Sequence, residues 1–126
     1  MAGKIIADQI EHSTAGSLDT QYVVNGSAKV QAKYNTSTDV VSGSENLSSI
    51  TDINTAADTL SFTSSMSDAT YRITGAANGS DTAYNNGRWI APYSYASGSV
   101  NIASQNTTSN ITSSTAMNVV VHGDLA

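Results

Sequence analysis

The chain has 126 residues and no cysteine, with 5 Lys+Arg against 10 Asp+Glu and a formal net charge of -5. That length fits one domain, and so few cations argue against binding nucleic acid or an anionic membrane by counterion release. No apolar run approaches the roughly 20 residues of a membrane span. The first twenty positions lack the apolar stretch and small-residue cleavage site of a secretory signal, so the expectation is a soluble chain not exported by a signal peptide.

Solubility comes from hydroxyls and amides: 20 Ser, 15 Thr and 11 Asn stand beside 9 Gly, while charged residues make up only 12%. Ile, Val, Leu and Phe together number 23 of 126, a share in the range where disorder is expected if net charge is also high. Net charge here is modest. A chain of this size should bury about two thirds of its surface on folding, yet it has few large apolar groups to bury. With no disulfide available, self-association is the expected source of additional core.

In chain order, Lys4 to His12 carries Ile5, Ile6 and Ile10, with Ile6 and Ile10 one helical turn apart. Ser13 to Thr20 breaks the pattern, so residues 1–21 read as an arm with its own small apolar face, and residues 22–126 read as the domain. From Tyr22 onward the period becomes two: Ala28, Val30, Ala32 and Tyr34 point one way and Lys29, Gln31 and Lys33 the other, a half-buried strand. Asn35 to Thr38 is a turn cluster; Val40 and Val41, then Leu47, Ile50 and Ile53, are short apolar clusters spaced by Ser, Asn and Gly.

Leu60 and Phe62 alternate inward against Thr59, Ser61 and Thr63, and Ala69, Tyr71 and Ile73 repeat the pattern against Thr70, Arg72 and Thr74. After a loop from Gly75 to Gly87, a strand from Arg88 to Ile90 is expected to stop at Pro92. Val100 with Ile102, and Val119 to Val121, supply the last strands. Seven or eight short strands spaced about ten residues apart and joined by Gly, Asn, Ser and Thr turns point to an all-β antiparallel β-sandwich or jelly roll.

Catalytic chemistry finds no residue-level support. His12 and His122 are the only histidines, and without cysteine they cannot complete a structural zinc site within one chain. Asp52, Asn54 and Asp58 have part of the spacing of a calcium loop but lack its central Gly and bidentate Glu, and a turn with side-chain caps is the better reading. No metal and no cofactor is assigned. There is no Gly-x-Ser-x-Gly elbow and no phosphate-binding glycine loop. Six Asn-x-Ser/Thr triplets follow from the composition and carry no argument for glycosylation.

The densest aromatic stretch holds Tyr84, Arg88, Trp89, Tyr93 and Tyr95 beside the turn Asn85-Asn86-Gly87. Amphipathic rings next to amides can stack on and hydrogen-bond a sugar, so these residues are candidate glycan or subunit contacts. A chain with one Trp and one Phe also needs such rings for its core or a subunit interface, and that reading takes precedence.

Four segments carry a resemblance: Asn25-Gly26-Ser27-Ala28-Lys29, Leu47-Ser48-Ser49-Ile50-Thr51-Asp52, the run from Leu60 to Tyr71, and Met117-Asn118-Val119-Val120-Val121-His122-Gly123-Asp124. Together they resemble a β domain of tailed-phage virion proteins, similar to C-terminal modules of tail fibres, especially in phages of aquatic bacteria. The likeness spans about residues 22–124, and the opening Gly3 to Ile10 is similar to the short arm that precedes such domains. It implies a non-enzymatic structural module, typically a homotrimeric knob. Fibres commonly carry a shaft and an anchoring domain ahead of the knob, and here about 21 residues precede it. The expectation is therefore a capsid decoration or cement protein on the virion surface, with the major capsid protein as partner and Ile5, Ile6 and Ile10 as arm contacts. The alternative is a receptor-binding knob of a tail or head fibre that recognises a host surface glycan.

Overall fold

The computed structural model describes residues 7–13, 16–79, 87–106, 108 and 110–126. Strands dominate it, with one short helix. In the arm, β1 (Gln9–His12) and β2 (Gly16–Asp19) form an antiparallel hairpin, which runs straight into α1 (Thr20–Gly26). The helical spacing expected around Ile10 is thus not realised. Ile10 lies in a strand and pairs with Leu18, because Gly16 at φ +93° permits the reversal that gives this short segment a strand partner. Thr20 fastens the junction: its N–H donates to Asp8 O at 2.9 Å and its hydroxyl to Ala7 O at 2.7 Å. Residues 22–26, expected to begin the first β-strand, are helical, and α1 runs across the expected boundary between arm and domain.

The domain is one eight-stranded, wholly antiparallel sheet. Its strands are β3 (Ala28–Asn35), β4 (Val40–Glu45), β5 (Leu47–Asn54), β6 (Ala57–Phe62), β7 (Arg72–Asn78), β8 (Gly87–Ala96), β9 (Ser99–Asn106) and β10 (Ala116–His122). They lie in the order β4-β3-β10-β7-β8-β9-β6-β5. The sheet rolls into a nearly closed, barrel-like sandwich whose two edge strands, β4 and β5, are not hydrogen-bonded to each other. The all-β, sandwich-like class expected from strand count and turn chemistry is the class observed.

Inward-facing residues follow the pleat. Val30, Ala32 and Tyr34 of β3 are buried while Gln31 and Lys33 are exposed, as the alternation requires. Leu60, Val100, Ile102, Met117 and Val121 are each 0% exposed and fill the centre, each such side chain contributing about 1.5–3 kcal/mol by leaving water. Tyr71 packs edge-on against Phe62, ring centroids 5.8 Å apart, and its hydroxyl reaches Ser99 O at 2.8 Å and Ala96 O at 3.0 Å. The strand predicted from Ala69 starts only at Arg72: the Asp68 carboxylate accepts from Thr70 N–H at 2.7 Å and from its hydroxyl at 2.6 Å, holding residues 68–70 in a turn.

β8 does not stop at Pro92 but runs on to Ala96. The reason lies in its neighbours: β7 pairs with β8 only at Ala77–Arg88 and Asn78–Gly87, while pairing to β9 continues through Pro92–Ile102. Pro92 therefore sits where the strand is bonded on one side only, the place a residue without an N–H can occupy. Beyond the last β7–β8 pair, Ile90 lies over Gly75, where a Cβ would come within 2.8 Å of Ile90 Cδ1 and 2.2 Å of Asn118 O.

A buried polar knot closes the end of the sheet. Thr36 N–H donates to Ser114 O at 2.9 Å, Ser114 N–H to Thr36 Oγ1 at 2.7 Å, and Asn78 N–H to Ser114 Oγ at 2.9 Å. The loop that enters β10 is thereby tied to the ends of β3 and β7, with its polar atoms satisfied out of water.

Candidate interaction surfaces

The arm forms its own two-stranded sheet, separate from the sheet of the domain. None of the residues of α1 is buried and every described position of β2 is exposed. Ile10, Leu18, Tyr22, Val23 and Val24 are 41–68% exposed. Exposed apolar residues scattered singly are ordinary, but five within fifteen positions concentrate apolar exposure on this one small unit. Among the described residues, two side chains of the domain bond to this unit: His122 Nδ1 lies 2.9 Å from Gly26 O, and Lys29 Nζ bonds Val24 O and, at 2.6 Å, Ser27 Oγ. With its proton on Nδ1, the His122 ring caps an open carbonyl at the end of α1. Ile5 and Ile6 lie outside the described residues.

Of the aromatic group, Tyr84, Asn85 and Asn86 also lie outside the described residues. Arg88, Trp89, Tyr93 and Tyr95 all belong to β8. Trp89 and Tyr93 share the outer face of the strand, Ile90 the inner, and Trp89, Tyr93 and Tyr95 are each about 40% exposed. The rings are therefore not core residues; the core is built from smaller side chains and from Tyr34 and Tyr71. Trp89 Nε1 donates to Gln105 Oε1 at 3.0 Å across the β8–β9 pair. Tyr93 pairs with Asn101, whose Oδ1 accepts from Thr59 Oγ1 at 2.8 Å. Two rings and two amides thus stand in a strip over β8 and β9. A bulge between Tyr93 and Ala96, with Ser94 at φ +50°, turns Tyr95 out of the strip and onto Tyr71, ring centroids 5.3 Å apart.

Sequence spacing drew attention to Asp52, Asn54 and Asp58, and the structure divides that set. Asn54 Oδ1 accepts from Ala56 N–H at 3.1 Å, the side-chain cap of a turn. Asp52 and Asp58 are directly paired across β5 and β6, and Asp39, from the turn between β3 and β4, joins them: one carboxylate oxygen from each lies within 4.8 Å of the others. Asp39 gave no sequence signal because it reaches the cluster only when the sheet rolls. Asp58 is 0% exposed. Burial, then the negative charges of Asp39 and Asp52, push its carboxyl up to about 7. Beside it, burial and the Asp58 charge raise the Tyr34 phenol above its ordinary value.

No family model, curated protein or solved structure matches the chain.

Proposed function

We propose that this chain is a phage virion structural protein that decorates the outer capsid surface and cements the shell. One observation carries the reading: the arm is a small folded unit, outside the main sheet, whose apolar residues Ile10, Leu18, Tyr22, Val23 and Val24 stay 41–68% exposed. A surface of that kind fits a hydrophobic groove on an assembly partner, and in this reading the partner is the major capsid protein. The rolled sheet acts as a jelly-roll-like knob that assembles as a homotrimer, with the exposed Val40, Val41 and Ile53 of the edge strands β4 and β5 available to the subunit contact. Binding at junctions between capsid subunits stabilises the shell by mass action, since the protein binds the assembled state and not the separated one. Deleting residues 1–12 removes β1 and should abolish binding to purified capsids while the strand signal in circular dichroism persists. Retained binding by the truncated chain would overturn the arm's role. Copy number per virion checks the location, with a ratio near that of the capsid protein expected.

The β8 strip favours a second reading, a fibre knob that grips a host glycan through Trp89 and Tyr93, because the rings are exposed beside Gln105 and Asn101. Under it, Trp89→Ala lowers adsorption to host cells, and only a handful of copies per virion are found.

A further inference from the structure

We propose that the chain binds a divalent cation, calcium by its chemistry, at Asp39, Asp52 and Asp58, and that the ion ties the β3–β4 turn to the β5–β6 hairpin across the open seam of the rolled sheet. The inference is independent of the capsid reading.

Geometry comes first. The three carboxylates offer oxygens within 4.8 Å of one another, and two oxygens bound to one calcium at about 2.4 Å can stand at most about 4.8 Å apart. They come from different hairpins whose strands are not paired with each other, Asp39 from the β3–β4 turn and Asp52 with Asp58 from the facing strands β5 and β6.

The second observation is what the cluster leaves unsatisfied. Both carboxylate oxygens of Asp58 are buried and make no hydrogen bond of good geometry, with the Asp39 carboxylate and the Tyr34 hydroxyl close beside them. The hydroxyl of Tyr34, a residue 1% exposed, is likewise buried without a well-formed bond, and it faces Asp58, whose charge is the largest electrostatic influence on it. A buried polar atom without a partner is uncommon, and a buried carboxylate facing two others without a neutralising group is rarer still. The charges acting on Asp58 are both negative. A divalent ion would answer each of these deficits: it neutralises the cluster, gives the Asp58 oxygens a ligand and leaves that carboxylate able to accept from the Tyr34 hydroxyl.

Donor chemistry selects the ion. All three ligands are carboxylates, with no His or Cys in the cluster, which favours hard cations over zinc or copper. Two of them, Asp39 and Asp52, are exposed, leaving room for water to complete an irregular shell of six to eight oxygens of the kind calcium accepts. Magnesium demands near-octahedral geometry at about 2.0–2.1 Å and fits such a set less well.

The experiment is a terbium titration of the full chain with excitation of tyrosine, beside thermal melts at neutral pH in calcium or in EDTA. The expected result is sensitised terbium emission that calcium competes away, together with a melting temperature several degrees higher in calcium. Asp39→Asn, at an exposed position, should weaken terbium binding at least tenfold with the fold retained, and Asp58→Asn should abolish the calcium shift. Tyr34→Phe should lose most of the emission and keep the calcium shift. Emission that is unchanged in Asp39→Asn, or melting temperatures equal in calcium and EDTA, would overturn the site; the second outcome would mean that Asp58 simply keeps a proton against its neighbours.

Discussion

Gly75 and Gly43 form a matched pair in which one added methyl group has opposite consequences. At Gly43 in β4 a Cβ meets nothing within 4 Å, whereas at Gly75 in β7 it would lie 2.2 Å from the backbone oxygen of Asn118 and 2.8 Å from Ile90 Cδ1. A side-chain terminus can rotate away, but a backbone oxygen within a ladder cannot. Gly75→Ala must therefore push β7 away from β10, where Gly75 pairs with Val119 between Ala76–Asn118 and Thr74–Val120. Overpacking of this kind costs about 1–3 kcal/mol, and a loosened ladder bond adds about 1 kcal/mol. We expect a loss of about 3 kcal/mol, which for a domain of this size lowers the melting temperature by roughly 12 °C. Gly43→Ala should stay within about 0.5 kcal/mol of wild type or gain slightly, since alanine narrows the unfolded ensemble. Urea denaturation of both variants measures the difference. Trimming Ile90 to alanine in the Gly75→Ala background should not rescue it, because the closer contact is with Asn118. Equal stabilities for the two glycine variants, or full rescue by Ile90→Ala, would refute the close approach of β7 and β10.

Two further outcomes test the placement of aromatic side chains. Burial pushes the Tyr71 phenol up to about 12 from an ordinary 10.0, so between those values the folded chain holds a proton that the unfolded chain has released. Stability should thus fall as pH rises through that window, by at most about 1.4 kcal/mol per pH unit; Tyr71→Phe should flatten this slope relative to wild type while costing about 1 kcal/mol at neutral pH, and parallel pH profiles in urea would contradict the assignment. Trp89→Ala should change the unfolding midpoint by less than the roughly 3–5 kcal/mol that truncation of a core tryptophan costs, and collapse of the fold would return Trp89 to the core.

The strands legible in the sequence are those with one face in the core and one in water. β3 and β6, with their inward Val30, Tyr34, Leu60 and Phe62, announce themselves by period two, and β9 and β10 by β-branched residues. β4 escaped because every residue from Val40 to Glu45 is exposed, so an edge strand imposes no alternation. β8 was cut short at Pro92 because the sequence does not reveal that its pairing with β7 ends at Arg88. The helical spacing of Ile6 and Ile10 was overridden around Ile10 by a hairpin too short to leave a periodic signal. Among site residues, the exposure of Trp89 and Tyr93 was not readable from composition, which favoured the core. The Asp52–Asp58 pair was visible from spacing, but Asp39 joins it only through the curvature of the whole sheet.

The sheet order also sets when the domain can fold. β3 has β4 and β10 as its neighbours, and Val30 pairs with Val121 across nearly the full length of the domain. The β3–β4 hairpin can form locally, but the other edge of β3 stays unpaired until β10 arrives. Loop closure over that distance slows folding toward the millisecond-to-second range of non-local β proteins. During synthesis the wait lasts until β10, ending at His122, has left the ribosome.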